Sequence, residues 1–443
     1  MKVIIAGGVA AGMSAASKIK RMKPDAEVKV FEKRGFFSYG ACGLPYYIGG
    51  GSGDYRTLIA RSPEQIEAAG IKAFLHHRVE TVDTRRNTVL VEDICAKTQF
   101  WEPYDALLIA TGAEALMPPA PGIEIPGVHT LKSLEDGIFL REIAREQRIK
   151  NVVLIGGGAI GVEAAEAFRR LSKSVRLIEA GAQILPSFDS EIAAAARNEL
   201  ERSGVAVQLE ERALSFEGRH WVEKVITDKG TYPADLVILS IGIRPATGFL
   251  AGSGIDLAPN GAVITDREMR SSRPGIYAAG DCALTYHRVL GKNVYIALGT
   301  VANKCGRIAG ENICGAGHQF EGALGSAAIK IFTLEFARCG INEKEGAANN
   351  VEYKTVTVNA PDHAGYYPGA AGLTIKLLYG VPAGKILGVQ LYGEKGAALR
   401  ADIFAAAIHG GMKAQELGMT DLVYAPPFST VWDAVQIACN AAK

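Results

Sequence analysis

The sequence predicts an α/β protein made of two doubly wound parallel sheets and a smaller C-terminal α+β domain. Two observations carry the first part. A strand, a glycine-rich turn, a helix and a second strand ending in glutamate occur at the N-terminus, and the same series returns from residue 151. The third observation is a change of texture: from roughly Gly322 onward, strand-like runs alternate with Gly, Asn and Pro. At 443 residues, two or three domains are expected.

In the first unit, Lys2–Ile5 is a short apolar strand, GGVAAG spans Gly7–Gly12, a helical pattern runs Met13–Met22, and Val28–Phe31 leads into Glu32. A tight glycine turn lets backbone N–H groups and a helix N-terminus approach a pyrophosphate, and an acid roughly twenty residues on accepts hydrogen bonds from a ribose. Val9 replaces the middle glycine of G-x-G-x-x-G in this copy. The second copy is complete: strand Asn151–Ile155, Gly156, Gly158 and Gly161 in register, a helix through Glu163–Leu171, and Val175–Ile178 leading into Glu179. Two such copies make Rossmann-like, dinucleotide-binding units the expectation. Glu179 should favour a free 2′-hydroxyl, hence NADH over NADPH, although Arg176 lies nearby in sequence.

Between the copies, YDALLIATGA (Tyr104–Ala113) reads as a strand ending in Thr-Gly, and the proline-rich Met117–Gly127 reads as a crossover between domains. DLVILSIGIRP (Asp235–Pro245) closes the second unit, and Arg273–Ala283 delivers Asp281 through a glycine turn. Farther on, AAIKIFTL, VEYKTVTV, LTIKLLYG and ILGVQLYG read as antiparallel strands, with helical stretches at Ala397–His409 and Val431–Cys439.

Composition narrows the classes. A net charge of +1 provides no global field for nucleic acid or an anionic membrane. Seven scattered cysteines without a C-x-x-C pair argue for a reducing compartment and against a disulfide framework or a zinc site, and the eight histidines show no metal spacing. The apolar N-terminal run imitates a signal peptide, but its glycines fit the nucleotide turn better, and no charge-free run reaches the ~18 residues of a membrane span. A cytoplasmic protein with no bound metal is expected.

The chemistry centres on FFSYGACGLPYY (Phe36–Tyr47). It places Cys42 four residues after Ser38, with a short helix expected just beyond the sulfur. Taken alone, this cysteine reads as a small buried hydrophobe; the nucleotide fingerprints on either side turn the reading toward a redox thiol. Cys95, Cys282, Cys305, Cys314, Cys339 and Cys439 read as core residues.

Together these motifs resemble the pyridine nucleotide–disulfide oxidoreductase family along essentially the whole chain. The resemblance implies a glutathione reductase-like fold: a discontinuous FAD-binding domain (1–115 and 245–321), an NAD(P)H-binding domain (116–244) and a C-terminal dimerisation domain (322–443). It implies that Gly7, Ala10, Ala11, Gly12, Glu32, Lys33, Val79, Thr111, Gly112 and Asp281 hold FAD. It assigns Gly156, Gly158, Ile160, Gly161, Glu163, Glu179 and Gly242 to the nicotinamide site. Cys42 has no second cysteine five positions on, where Tyr47 stands, so the chain is similar to the single-cysteine branch. That branch holds coenzyme A-disulfide reductases, persulfide reductases, NADH oxidases and NADH peroxidases. Oxidases and peroxidases usually carry a histidine where Ala10 stands. SYGACGLPYY, HAGYYPGA (His363–Ala370) and VYAPPFS (Val423–Ser429) look most like coenzyme A-disulfide reductase.

The resemblance then implies that NADH electrons pass through FAD to a Cys42–S–S–CoA mixed disulfide in a homodimer whose active site is shared between subunits. Tyr424, with Tyr367 or Tyr366 of the other subunit, would stabilise or protonate the leaving sulfur, and Ser38 would hydrogen-bond the Cys42 sulfur or a ligand thiol. Without the resemblance these tyrosines read as packing residues. CoA phosphates need cations; Lys18 and Arg21, at i,i+3 on one helix face, are the first candidates, with Arg61, Asn303 and Arg307. For Lys18, Arg21 and Arg61, a solvated surface role stands beside this one. CoA persulfide or polysulfide reduction, and NADH oxidation, are the alternatives.

Overall fold

The computed structural model describes residues 1–51 and 53–443. Five parallel strands form the first sheet, in the order Ile276–Ala278, Ala106–Ile109, Lys2–Ala6, Glu27–Glu32 and Ile71–Leu75. The second sheet repeats the plan: Val205–Gln208, Ser174–Ile178, Asn151–Ile155, Leu236–Leu239 and Val128–Thr130, again all parallel. Ala106–Ile109 and Leu236–Leu239 are buried throughout, as strands covered on both faces must be. In each sheet the fingerprint follows the central strand, where the strand order reverses and parallel sheets open a crevice at their carboxyl ends.

The two fingerprints share one backbone solution. Gly7 and Gly156 take left-handed φ values of +107° and +105°. A Cβ at Gly12 would run into the carbonyl oxygen of Gly7, and one at Gly161 into that of Gly156. The helices then start at Ala10 and Ala159, a few residues earlier than the apolar periodicity suggested, because small residues line their first turns.

The C-terminal part is a five-stranded antiparallel sheet, ordered Ala327–Ile331, Leu334–Gly340, Ile386–Gly393, Gly372–Gly380 and Tyr353–Pro361. The helices Ala397–Gly410 and Ala434–Ala441 pack their apolar residues with this sheet in one core. The last helix starts after Val431 because Asp433 caps it, accepting from Val435 N at 2.9 Å. Leu334–Gly340 was not foreseen, nor was the antiparallel sheet His77–Asp83, Thr88–Asp93, Thr98–Pro103, whose strands mix charged and apolar residues.

The second unit is bound to the C-terminal sheet by a polar knot. Lys376, almost fully buried, contacts Asp189 at 2.8 Å, Glu343 at 2.6 Å and Glu191. These three carboxylates converge on an ammonium group, which satisfies the charge a metal would otherwise supply. Cys95 corrects the expectation of a core role, for it is exposed, whereas Cys314 is half-buried against the core of the first unit. Cys95 lies in the turn between two strands, where its N–H donates to Asp93 at 3.0 Å. Among the described residues, no helix is long and apolar enough to cross a membrane.

Candidate active site

A cavity of about 550 Å³ lies beside the first fingerprint and brings together Gly7, Glu32, Lys33, Val79 and Thr111, with Glu114, Arg244 and Asn260 also in its wall. Glu32 is buried, and its carboxylate accepts from Gly8 N at 2.8 Å and Arg34 N at 2.9 Å. Lys33 pairs with Glu114 at 2.8 Å, and Thr111 Oγ1 donates to Ala246 O at 2.8 Å. An acid fixed at the end of the second strand, facing a glycine turn that excludes side chains, fits one end of a dinucleotide. Ala10, Ala11 and Gly12 form the helix start beside this cavity, and Gly112 takes a left-handed φ of +68°.

The second fingerprint copies the arrangement. Glu179 accepts from Gly157 N and from Gly181 N, each at 2.6 Å. A Cβ at Gly158 would meet nothing within 4 Å, so the backbone there faces open space, and Ile160 is exposed in the first helical turn. Gly242 has φ +124° and accepts from Leu116 N at 2.9 Å. Arg176, which lies near Glu179 in sequence, stacks over the Tyr232 ring at 4.0 Å.

Cys42 is exposed in the 3-10 turn Ala41–Gly43, immediately before the short helix Leu44–Ile48. Ser38 holds this loop through its backbone in a left-handed conformation, φ +47°. Its N–H donates to Gly8 O at 3.0 Å, and its carbonyl accepts from Ala60 N at 2.7 Å. Gly40 N also donates to Leu58 O at 2.8 Å. The cysteine loop is therefore tied on one side to the first fingerprint and on the other to the segment that carries Arg61. Protein atoms packed round the sulfur push the Cys42 thiol upward; Glu163 and Asp281 add to this, and Lys132 opposes it. Lys132, absent from the sequence expectation, pairs with Asp281 at 3.2 Å.

The five cationic or amide candidates divide into two groups. Arg21 and Arg61 line one depression of about 570 Å³ together with Ser17, Lys20 and Gln65, and Arg61 donates to Ser17 Oγ. Lys18 and Arg307 instead meet Glu311, at 2.8 and 3.1 Å. Asn303 accepts from Ser14 Oγ at 2.6 Å. The helices Ala10–Met22 and Gly299–Ile313 come this close because Gly306 and Gly310 face Ala11 and Ala15, where a Cβ would strike backbone. Burial works to raise Glu311, yet hydrogen bonds from Lys18, His318 and Arg307 hold it down to about 2. Ser14, Lys18 and Arg21 recur at i, i+4 and i+7, a stripe that could have flagged Ser14.

The tyrosines lie elsewhere in the chain. Tyr366 and Tyr424 share a hydrogen bond of 3.1 Å, and the Tyr367 ring packs edge-on to His363 at 5.7 Å. Among the described contacts, none joins these groups to Cys42 of the same chain. They share the C-terminal part with a set of exposed apolar side chains, Val423, Phe428, Val431 and Trp432, of the kind that marks an association face.

Comparison with known proteins agrees with this geometry. Residues 1–306 match the family pattern described as pyridine nucleotide-disulphide oxidoreductase, and residues 326–435 match the dimerisation domain of the same family. The chain is 37% identical over 443 residues to the NAD(P)H coenzyme A polysulfide/persulfide reductase of Pyrococcus horikoshii, covering 100% of this chain and 98% of that one. It is 28% identical over 444 residues to the coenzyme A disulfide reductase of Staphylococcus aureus, both covered in full. The reduced Bacillus anthracis CoADR-RHD structure gives a TM-score of 0.96 at 31% identity, covering 100% of this chain and 80% of that one. The NAD-dependent persulfide reductase from A. fulgidus gives 0.96 at 35%, covering 100% and 83%.

Proposed function

Because the chain belongs to the pyridine nucleotide-disulphide oxidoreductase family, whose chemistry uses FAD and NAD(P)H, we propose that it reduces a sulfur–sulfur bond carried by coenzyme A, through Cys42. The observation that carries this reading is the placement of Cys42. One backbone knot at Ser38 fixes it between the first nucleotide turn and the segment bearing Arg61.

Gly7, Gly12, Glu32, Lys33, Val79, Thr111, Gly112 and Asp281 would hold FAD, and Gly156, Gly158, Gly161 and Glu179 the nicotinamide coenzyme. Bound FAD supplies the pathway by which an electron pair from NADH reaches the sulfur side. The thiolate of Cys42 attacks one sulfur of CoA disulfide; the S–S bond breaks, a Cys42–S–S–CoA bond forms, and one CoA thiolate leaves. Two electrons then cleave the mixed disulfide, returning the Cys42 thiolate and a second CoA thiolate, each leaving sulfur taking a proton. Tyr424, hydrogen-bonded to Tyr366, or Tyr367 beside it, is suited to supply or stabilise such a proton from the partner subunit of a homodimer. Arg21, Arg61 and Lys20 offer phosphates a cationic depression.

The first domain would comprise 1–115 and 245–321, the second 116–244 and the third 322–443; the protein would work in the reducing cytoplasm. A second reading has its own support: the Pyrococcus horikoshii relative acts, by its name, on CoA polysulfide or persulfide. On CoA persulfide the same attack at the CoA-bound sulfur breaks its S–S bond, forms the Cys42–S–S–CoA bond and expels hydrosulfide in place of the first CoA thiolate. Incubating the reduced protein with CoA disulfide and weighing the Cys42 peptide tests the proposal. A CoA adduct on Cys42, reversed by NADH, is expected; an unmodified Cys42 alongside turnover would contradict it.

A further inference from the structure

Tyr46 stands four residues after Cys42, in the helix that follows the sulfur, and its hydroxyl donates to Glu163 Oε1 at 3.1 Å. Glu163 belongs to the helix that opens at the second fingerprint, Ala159–Arg170. The two helices touch closely enough that a Cβ at Gly49 would come within 3.1 Å of Ala167 Cα. The helix after the second fingerprint thus ties its carboxylate, through one hydrogen bond, to the tyrosine four residues beyond Cys42.

The charges around this pair are uneven. Near Cys42, Asp281 and Lys132 pair at 3.2 Å and largely cancel. Near Glu163, Glu166 is satisfied by Arg170 at 2.7 Å and by Phe332 N at 2.7 Å. Glu163 itself has a neutral partner, Tyr46. From the helix Leu134–Ala144, Arg141 lies over the Tyr47 ring at 4.3 Å and donates to Tyr47 O at 3.0 Å. Of the acids Asp281, Glu166 and Glu163, Glu163 is the one whose side-chain partner among the described residues is neutral. We propose that Glu163, anchored by Tyr46, is a positioning residue that governs how readily Cys42 gives up its proton, and so links the nicotinamide helix to the nucleophile. The proposal rests on the reading that Cys42 is the attacking sulfur. When the thiol ionises, its electron pair stays on sulfur and the proton passes to solvent; a carboxylate at Glu163 opposes that negative charge, and a protonated Glu163 does not. Burial raises the Glu163 carboxyl to about 7, against the Tyr46 hydrogen bond and with Glu166 adding to it, so both forms are populated near neutrality.

The test is the pH dependence of iodoacetamide alkylation at Cys42, read by peptide mass on the full-length, FAD-loaded protein after reduction. The wild-type profile should show two inflections, one near neutrality and one alkaline. Glu163→Gln should remove the first and lower the second by about 1 pH unit. Glu163→Asp, which keeps the charge, should leave the alkaline inflection near its wild-type position. Tyr46→Phe should move the near-neutral inflection upward and leave the alkaline one in place. A single inflection in both wild type and Tyr46→Phe would overturn the proposal. So would Gln and Asp variants that move together, which would mark a packing effect. The readout contains no CoA, so an error in the substrate assignment leaves this result intact.

Discussion

The hydroxyls of Tyr366 and Tyr424, fifty-eight residues apart in sequence, lie 3.1 Å from each other on the C-terminal domain. The contact pushes the Tyr424 phenol above its ordinary range, so Tyr424 holds its proton and can act as a donor throughout neutral pH. Removing either hydroxyl should slow leaving-group protonation. Tyr424→Phe is expected to lower kcat with CoA disulfide about 10²-fold. NADH reduction of a small electron acceptor that needs no cysteine should stay near wild type. Steady-state assays with the two acceptors check both halves.

Arg21 and Arg61 share a depression with Lys20 whose named lining holds no carboxylate, and among the described residues neither forms an ion pair, unlike Lys18 and Arg307, which meet Glu311. Arg61→Ala should therefore raise KM for CoA disulfide about tenfold, and Arg307→Ala should change it much less. Raising salt should weaken wild-type binding more than it weakens binding to Arg61→Ala.

Glu179 receives two backbone N–H groups at 2.6 Å, from Gly157 and Gly181. Glu179→Ala should raise KM for NADH about tenfold and narrow the gap to NADPH, since the like-charge repulsion of a 2′-phosphate is removed. Comparison of kcat/KM for the two coenzymes measures the change.

Folding makes Glu311 a stronger acid, taking it from an ordinary value of 4.5 to about 2. A depressed carboxyl contributes stability in full above pH 4.5 and loses it as pH falls through about 2. Glu311→Gln should cost about 2 kcal/mol at neutral pH and flatten the stability profile in that acidic window. Denaturant melts at several pH values follow it.

Much of the frame was legible because glycine turns and short parallel strands leave local marks. Both central strands, the acids Glu32 and Glu179 and the cysteine turn stand where periodicity and spacing put them. The antiparallel strands at His77–Pro103 were not legible, because mixed charged and apolar residues hide a period of two. Partners across the fold were hidden too. Glu311 gathers Lys18, and Tyr46 meets Glu163 across 117 positions, neither of which any local pattern announces. Cys95 showed the limit of composition: a free cysteine is usually buried, but the turn that Asp93 organises leaves this one exposed.

The most direct test is anaerobic NADH oxidation by the FAD-loaded protein and its Cys42→Ser variant, with CoA disulfide, CoA persulfide and polysulfide supplied in turn. The account predicts rapid oxidation with a CoA-linked sulfur acceptor and a loss of at least about 10³-fold in the serine variant. Full turnover by Cys42→Ser would contradict it, because the electrons would then leave without passing through the sulfur.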